Sequence, residues 1–427
     1  MFENANEVHG TSATPDRYRF VMYGLIVLAN TTTGLNFLAP SPFLTRIIDD
    51  LEITNAAAGF LVTTMTLLVT LGAIPASIVA VRWRLKPTFG LAWVLLGAGT
   101  LIVFYSGFWV IVGIRLVQGL GAAIQIPLIA ALIMRWAPEK ELPAVNAISL
   151  AAFTVGLGTG LIIGPPLAES SLGWSGALAV ESSICLVGAM LWFMFGRTAP
   201  VVHGGALSAE PSSAPAPASA REILGVFRSK TTWLLAIAVI GPWAQFTTLS
   251  AWLPTFFTDV RGMDLGVAGF TTAVFTFAGI PATLLGGLLI TRTGTRRPIM
   301  IWSGLLIGAG GVATFVSPEG YILLAAVLFT GLVQWAYEPA LFTLPIELPG
   351  SSPERAGAIW AAILTVGNAA SFIAPVFVGR VNDVTGSFIL GFAIVCATSL
   401  SLFVATLFIP ETGPGRRKTD ERAVAFT

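Results

Sequence analysis

Three ionisable side chains stand deep inside long apolar runs: Arg115, Glu181 and Glu338. On insertion scales a charge at membrane depth costs about 2.5–3.5 kcal/mol, so each needs a partner or a function. Arg115 and Glu181 lie about two turns from one end of their runs. Two readings follow: they form a structural ion pair inside one half of the molecule, or Arg115 faces a cavity as an anion contact or coupling charge. Glu338 sits directly before Pro339 near the middle of its run. The proline frees a carbonyl one turn earlier and loosens the helix. A carboxyl group there is suited to reversible protonation, so Glu338 is the proton-coupling candidate. The alternative is a carboxyl capped by a neighbouring Trp or backbone group, with a packing role.

Neutral polar residues cluster near the centres of other apolar runs: Asn30, Thr33, Asn36, Gln118, Gln245 and Asn368. Their amides and hydroxyls are the substrate-binding candidates. Hydrogen bonds between helices, about 0.6 kcal/mol each, account for such residues equally well. Trp243, Trp252, Trp335 and Trp360 either wall a site or anchor helices at the membrane interface.

Other chemistries are poorly provided for. His9 and His203 lie in polar segments, which leaves no histidine metal site or triad in the bulk of the chain. Cys185 and Cys396 sit inside apolar runs and imply no oxidised framework. There is no Gly-rich loop leading into Lys-Ser/Thr, so no nucleotide is expected, and no cofactor or metal either. A net charge of +1 carries no nucleic-acid signal.

The elements that must position these residues follow from composition. Of 427 residues, 55% are hydrophobic and only 11% charged, against about 25% charged in soluble domains. Such a chain cannot coat a water-facing globule, and the lipid bilayer is its expected surroundings. Twelve stretches are long enough to cross a bilayer as helices, near 20–45, 55–81, 88–107, 109–136, 142–169, 174–196, 231–258, 265–291, 298–316, 320–347, 355–381 and 386–410. They lack the alternation of barrel strands. The first is too long for a cleaved signal peptide, and Glu3, Glu7 and Asp16 precede it.

Charge orients the spans. With both termini in the cytoplasm, nineteen of the 23 Lys and Arg residues fall in cytoplasmic segments. Only Arg46, Arg261 and Arg380 remain outside, with Arg115 inside a span. This is the positive-inside pattern of a multi-pass protein of the inner or plasma membrane.

The longest polar segment, 197–230, contains the Ser/Ala/Pro stretch Pro211 to Ser219 and reads as a cytoplasmic linker. It separates a six-helix bundle over 20–196 from another over 231–410, with tails at 1–19 and 411–427. The halves echo each other at a shift of about 210 residues: Ala58-Gly59-Phe60 with Ala268-Gly269-Phe270, Ile74-Pro75-Ala76 with Ile280-Pro281-Ala282, and Gly119 and Pro127 with Gly331 and Pro339. Two parallel six-helix repeats are the plan of a rocking transporter with its site between them at the midplane.

On these features the chain resembles a major facilitator superfamily permease. Arg115, Gln118, Gly119, Gly121 and Ala123 are similar to that family's helix-4 motif. Gly287, Arg292, Gly294, Arg296 and Arg297 are similar to its basic loop motif. The loop's usual acidic residue is replaced by Thr291, and the corresponding first-half loop (Ala80 to Pro87) lacks both Gly and Asp. The charge-relay gating attributed to that loop is therefore not carried over. Within the family, Trp252-Leu253-Pro254, Leu344-Pro345-Ile346-Glu347, Gly367-Asn368 and Asp383 resemble the cyanate/nitroimidazole permease group. Gly160, Gly164 and Pro165 resemble the antiporter motif of drug exporters, although Ala168-Glu169 replaces the following Gly pair.

The expected function is alternating-access transport of a small organic solute, with proton-coupled uptake of a small anion as the leading form. Export of a hydrophobic drug or metabolite in exchange for protons is the alternative. A receptor or scaffold that moves nothing is the rival from another class. The partners expected are a small molecule, a proton and lipid; no enzyme chemistry is expected, and one chain suffices for a complete pathway.

Overall fold

The computed structural model describes residues 18–82, 84–105, 107–138, 140–198, 225–348 and 351–413. Most of the N-tail, the linker stretch Pro211 to Ser219 and most of the C-tail lie outside the described residues. What is described is almost entirely helical, in twelve spans long and apolar enough to cross a bilayer. Helices dominate because a bilayer offers no water to backbone groups, so each segment must satisfy its own.

In the first half the spans are Tyr18–Phe37, Asn55–Arg82, Leu85–Leu96 continued by a 3-10 turn Gly97–Phe104, Phe108–Trp136, Leu142–Glu169 and Gly173–Phe195. A short amphipathic helix, Leu44–Leu51, follows span 1. In the second half several spans are interrupted. Span 7 runs as Lys230–Ala238 and Ile240–Thr255, span 8 as Leu265–Phe277 and Gly279–Thr293, and span 10 as Tyr321–Ala336 and Glu338–Glu347. Spans 9 and 11 are Arg297–Val316 and Pro353–Thr385, and span 12 is Phe388–Thr398 with Leu400–Phe408.

Three of the breaks precede a proline: Pro281 follows the break in span 8 as Pro242 follows that in span 7. Pro242 and Pro339 lack the N–H that would bond one turn back, and the helix yields just before each. Near the first break Ser401 repairs the damage: its Oγ accepts from the Gly241 N–H at 3.1 Å and donates to the Ala238 carbonyl at 3.4 Å.

Among the described residues, the two halves share a hydrophobic core toward one face. At the end opposite Tyr18 and Phe408, Leu38, Ala58, Val62 and Leu157 of the first half share a core with Trp252, Phe256, Phe275 and Phe392 of the second. Toward the face of the chain ends each half keeps its own core, around Phe89, Trp93 and Trp192 in one and Leu235, Ile307 and Tyr337 in the other. Lipid removes much of the hydrophobic drive between helices, so close packing of small residues matters. A Cβ on Gly59 would lie 2.6 Å from the Pro375 carbonyl oxygen, and one on Gly269 would strike the Leu161 carbonyl. These glycines let span 2 approach span 11 and span 8 approach span 5. Gly160 and Pro165 belong to this stretch of span 5, so the exporter-like segment has a packing role here. With a shared core at one face and separate cores toward the chain ends, the halves frame a cleft on that second side.

Candidate functional site

Span 1 loses its helical ladder after Phe37, which leaves carbonyls of its last turn open. Arg115 of span 4 answers them. Its Nη1 donates to the Asn36 carbonyl at 2.8 Å and to Gln118 Oε1 at 3.2 Å; its Nη2 donates to the carbonyls of Phe37 at 3.0 Å and Val62 at 3.4 Å. A guanidinium is suited to this because its donors fan out in a plane and a cation complements the negative end of a helix.

Gln118 and Asn36 extend the cluster. Gln118 Nε2 donates to Asn36 Oδ1 at 3.1 Å and to the Leu96 carbonyl at 2.9 Å, while Ser182 donates to Asn36 Oδ1 at 2.7 Å. Asn36 Nδ2 donates to the Thr32 carbonyl at 3.0 Å. Arg115, Gln118 and Asn36 are each at most 1% exposed, so these three sequence candidates form an interhelical lock and do not line the cleft.

The expected ion pair is corrected at this point. Arg115 and Glu181 lie close enough to feel each other's charge, yet among the described residues neither Glu181 oxygen has a hydrogen-bond partner. Ion pairs form instead at Arg19–Glu141 and Arg296–Glu347. The guanidinium is turned toward the end of span 1, whose open carbonyls occupy both of its terminal nitrogens. Glu181 faces the glycine strip of span 5, where a Cβ on Gly164 would come within 3.1 Å of Oε1.

The remaining candidates divide. Thr33 donates to Gln125 Oε1 at 2.6 Å and is buried. Gln245 is also buried, donating to the Ile307 carbonyl at 2.8 Å and accepting from Ser399 at 2.7 Å. Asn30, Asn368 and Glu338 stay half-buried. Asn30 donates to Ser149 at 2.6 Å; Asn368 has no side-chain hydrogen bond among the described residues. Glu338 opens the second segment of span 10, with the Trp243 indole as a neighbour of its carboxyl group. Trp243 reaches this place because span 11 presents Gly367, where any Cβ would overlap the indole ring.

Aromatic rings surround this level. Phe37 meets Phe153 edge-on at 5.5 Å, Phe246 meets Trp335 at 4.8 Å, and Phe342 stacks on Trp360 at 4.4 Å. Phe37, Phe153 and Phe246 border the shared core while remaining partly exposed, which puts them at the closed end of the cleft. Sequence reasoning missed Gln125, whose signal was available: it follows Gln118 by seven residues and so shares its helical face. It also missed Ser149 and Ser182, since single serines in apolar helices carry no periodic signal. At the chain-end face Arg296 pairs with Glu347 at 2.7 Å, and Glu411 accepts from the backbone N–H groups of Arg296 and Arg297, both at 2.9 Å. The acidic partners of this basic loop therefore come from the ends of spans 10 and 12, and not from position 291.

Known proteins share this plan. The chain is 25% identical over 370 residues to the 2-nitroimidazole transporter of Escherichia coli, covering 86% of this chain and 90% of that one. It is 26% identical over 334 residues to a probable sulfoacetate transporter of Cupriavidus necator, covering 73% and 75%. A solved inward-facing, occupied bacterial homolog of the human lysosomal transporter Spinster superposes with a TM-score of 0.75 over 92% of this chain and 96% of that one, at 16% identity. The family model of the Major Facilitator Superfamily matches residues 26–375 and again 264–425. The chain belongs to the Major Facilitator Superfamily and is a multi-pass membrane transporter of small solutes, not an enzyme.

Proposed function

We propose that the transporter takes up a small organic anion together with a proton, with Glu338 as the proton carrier. The observation that supports this most is the setting of Glu338. It is the one carboxylate among the described residues that lies in mid-span, is not fully closed off by its neighbours and stands beside the Trp243 indole. Arg115, the cation nearest this level in sequence terms, is buried and saturated by carbonyls. An anion entering the cleft meets amide donors such as Asn30 and Asn368 and the Trp243 indole, but also a carboxyl group. Ionised, that group repels the anion; protonated, it does not. Anion and proton therefore favour each other's binding, and by linkage each raises the other's affinity equally. This is the thermodynamic requirement of symport.

Aromatic and amide side chains on both sides of the cleft suit a small organic solute, and relatives are named for sulfoacetate, tartrate and 2-nitroimidazole. With both termini in the cytoplasm, as the charge distribution implies, the cleft opens inward, and one chain forms the whole pathway.

Glu338→Gln mimics the permanently protonated state. In proteoliposomes it should abolish accumulation driven by a pH difference while leaving counterflow, which needs no net proton movement, largely intact. If the Gln variant still concentrates solute when only a pH difference is applied, Glu338 is not the coupling residue. If accumulation requires the opposite pH gradient, the transporter is an exchanger.

A further inference from the structure

Besides the bonds from Ser41 to the Ser250 and Ala251 carbonyls and from Thr45 to Asp259, the seam that closes the cleft includes two pseudo-equivalent parts, span 2 against span 11 and span 5 against span 8, and they are built differently. Between spans 5 and 8 the close contacts are apolar and backbone: Gly269 against the Leu161 carbonyl and Pro165, and Gly158 against the Phe277 ring. Between spans 2 and 11 a carboxylate crosses from one half to the other. Asp383, near the end of span 11, accepts from the Asn55 backbone N–H at 2.8 Å, from Asn55 Nδ2 at 2.8 Å and from the Ala56 N–H at 3.0 Å.

Asn55 and Ala56 begin span 2, where the first backbone N–H groups of a helix lack partners and carry partial positive charge. Thr54 satisfies the next position, its Oγ1 accepting from the Ala57 N–H at 3.2 Å. The first two are left to Asp383 of the other half. Close approach is enforced by Gly379, one turn earlier on span 11, whose missing Cβ would overlap the Asn55 carbonyl. Thr63 adds a weaker bond along the same line, donating to the Phe372 carbonyl at 3.3 Å.

We propose that Asp383 is a conformational latch: it caps the start of span 2 only while this face is closed, and so biases the resting transporter toward the state open at the chain-end face. A helix cap supplied from the same half would persist through rocking of the halves. One supplied from the opposite half is broken whenever the seam opens, so its whole contribution falls on one of the two states. The inference rests on the seam alone and is independent of the cargo and of Glu338.

The test uses full-length purified protein with pairs of spin labels on exposed residues of opposite halves. Asp49 and Glu319 report the latched face, and Lys140 and Arg292 the chain-end face. On the usual value of a charged helix cap, Asp383→Ala should raise the ratio of latch-open to latch-closed molecules about tenfold. The Asp49–Glu319 distance should lengthen and the Lys140–Arg292 distance should shorten together. Asp383→Asn, which keeps one acceptor, should give a smaller shift of the same sign. Distances unchanged from the parent protein would overturn the latch. So would broadening of both distributions without opposed shifts, because that would mark a merely structural residue.

Discussion

The two halves echo one Gly and Pro pattern but place their polar groups differently. Aligning Gly119 with Gly331 sets Arg115 opposite Val327 and Gln118 opposite Thr330. Val327 and Thr330 are fully buried, so the second half fills with apolar and hydroxyl groups the place where the first half buries a cation. About two turns further on, the relation reverses: aligning Pro127 with Pro339 sets Ile126 opposite Glu338. The exposed Ile126 meets a half-buried carboxylate as its counterpart. Both halves still share one device at the level of spans 1 and 7. Asn36 accepts from Ser182, and Gln245 accepts from Ser399, each tying the first helix of its repeat to the last. Two halves of similar pattern thus keep a common tie and divide the other tasks. The first half is locked around Arg115, and the second carries the accessible acid next to a broken helix.

The largest effect should come from breaking the lock. Arg115→Met leaves the carbonyls of Asn36 and Phe37 without their donor, and should lower stability by about 3 kcal/mol or more, read from thermal unfolding of the purified protein. Adding Glu181→Gln should recover only a minor part, since the guanidinium is bonded to backbone and not to that carboxylate. Full recovery in the double variant would show that charge balance with Glu181, and not capping of span 1, is the main role of Arg115.

The shared tie sharpens the comparison further. Asn36 has four partners or near neighbours in Thr32, Gln118, Ser182 and Cys185, whereas Gln245 has two. Asn36→Ala and Gln245→Ala should both destabilise by about 1–3 kcal/mol, with the first the more costly. Equal losses on chemical denaturation would mean that the extra bonds around Asn36 add nothing.

The smallest effect belongs to the Asn30–Ser149 bond at the cleft edge. A double-variant cycle with Asn30→Ala and Ser149→Ala should return a coupling of about 0.6 kcal/mol, typical of polar pairs between membrane helices. A coupling near zero would leave Asn30 free to serve solute, and a transport assay on Asn30→Ala would then show a loss of affinity exceeding its loss of stability.

Much of the architecture was legible in the chain itself. Twelve apolar runs, the bias of Lys and Arg between alternating segments, and the repeated Gly and Pro positions require only local composition, because the bilayer imposes span length and helical form on any segment inside it. The breaks in spans 7, 8 and 10 each precede a proline, but Pro127, Pro165 and Pro375 stand inside unbroken helices, so a missing ladder bond permits a break without deciding it. Sequence also identified which polar groups are unusual at membrane depth: Arg115, Glu181, Gln118, Gln245 and Glu338 all proved to stand inside the spans.

What each of them faces was decided by tertiary structure alone. Helical spacing puts a residue on a face but does not say which neighbour that face meets, and a polar group in lipid will bond to the nearest available partner. For Arg115 that partner is the frayed end of span 1, which lies 78 residues away from it in the chain at Phe37; for Gln118 it is Asn36, and for Glu181 among the described residues there is none. Asp383 likewise acquires its role only when the halves rock together and bring the start of span 2 beneath it. The membrane sets the elements through short-range physics, whereas the pairing of buried polar groups depends on which helices the packed repeats bring side by side.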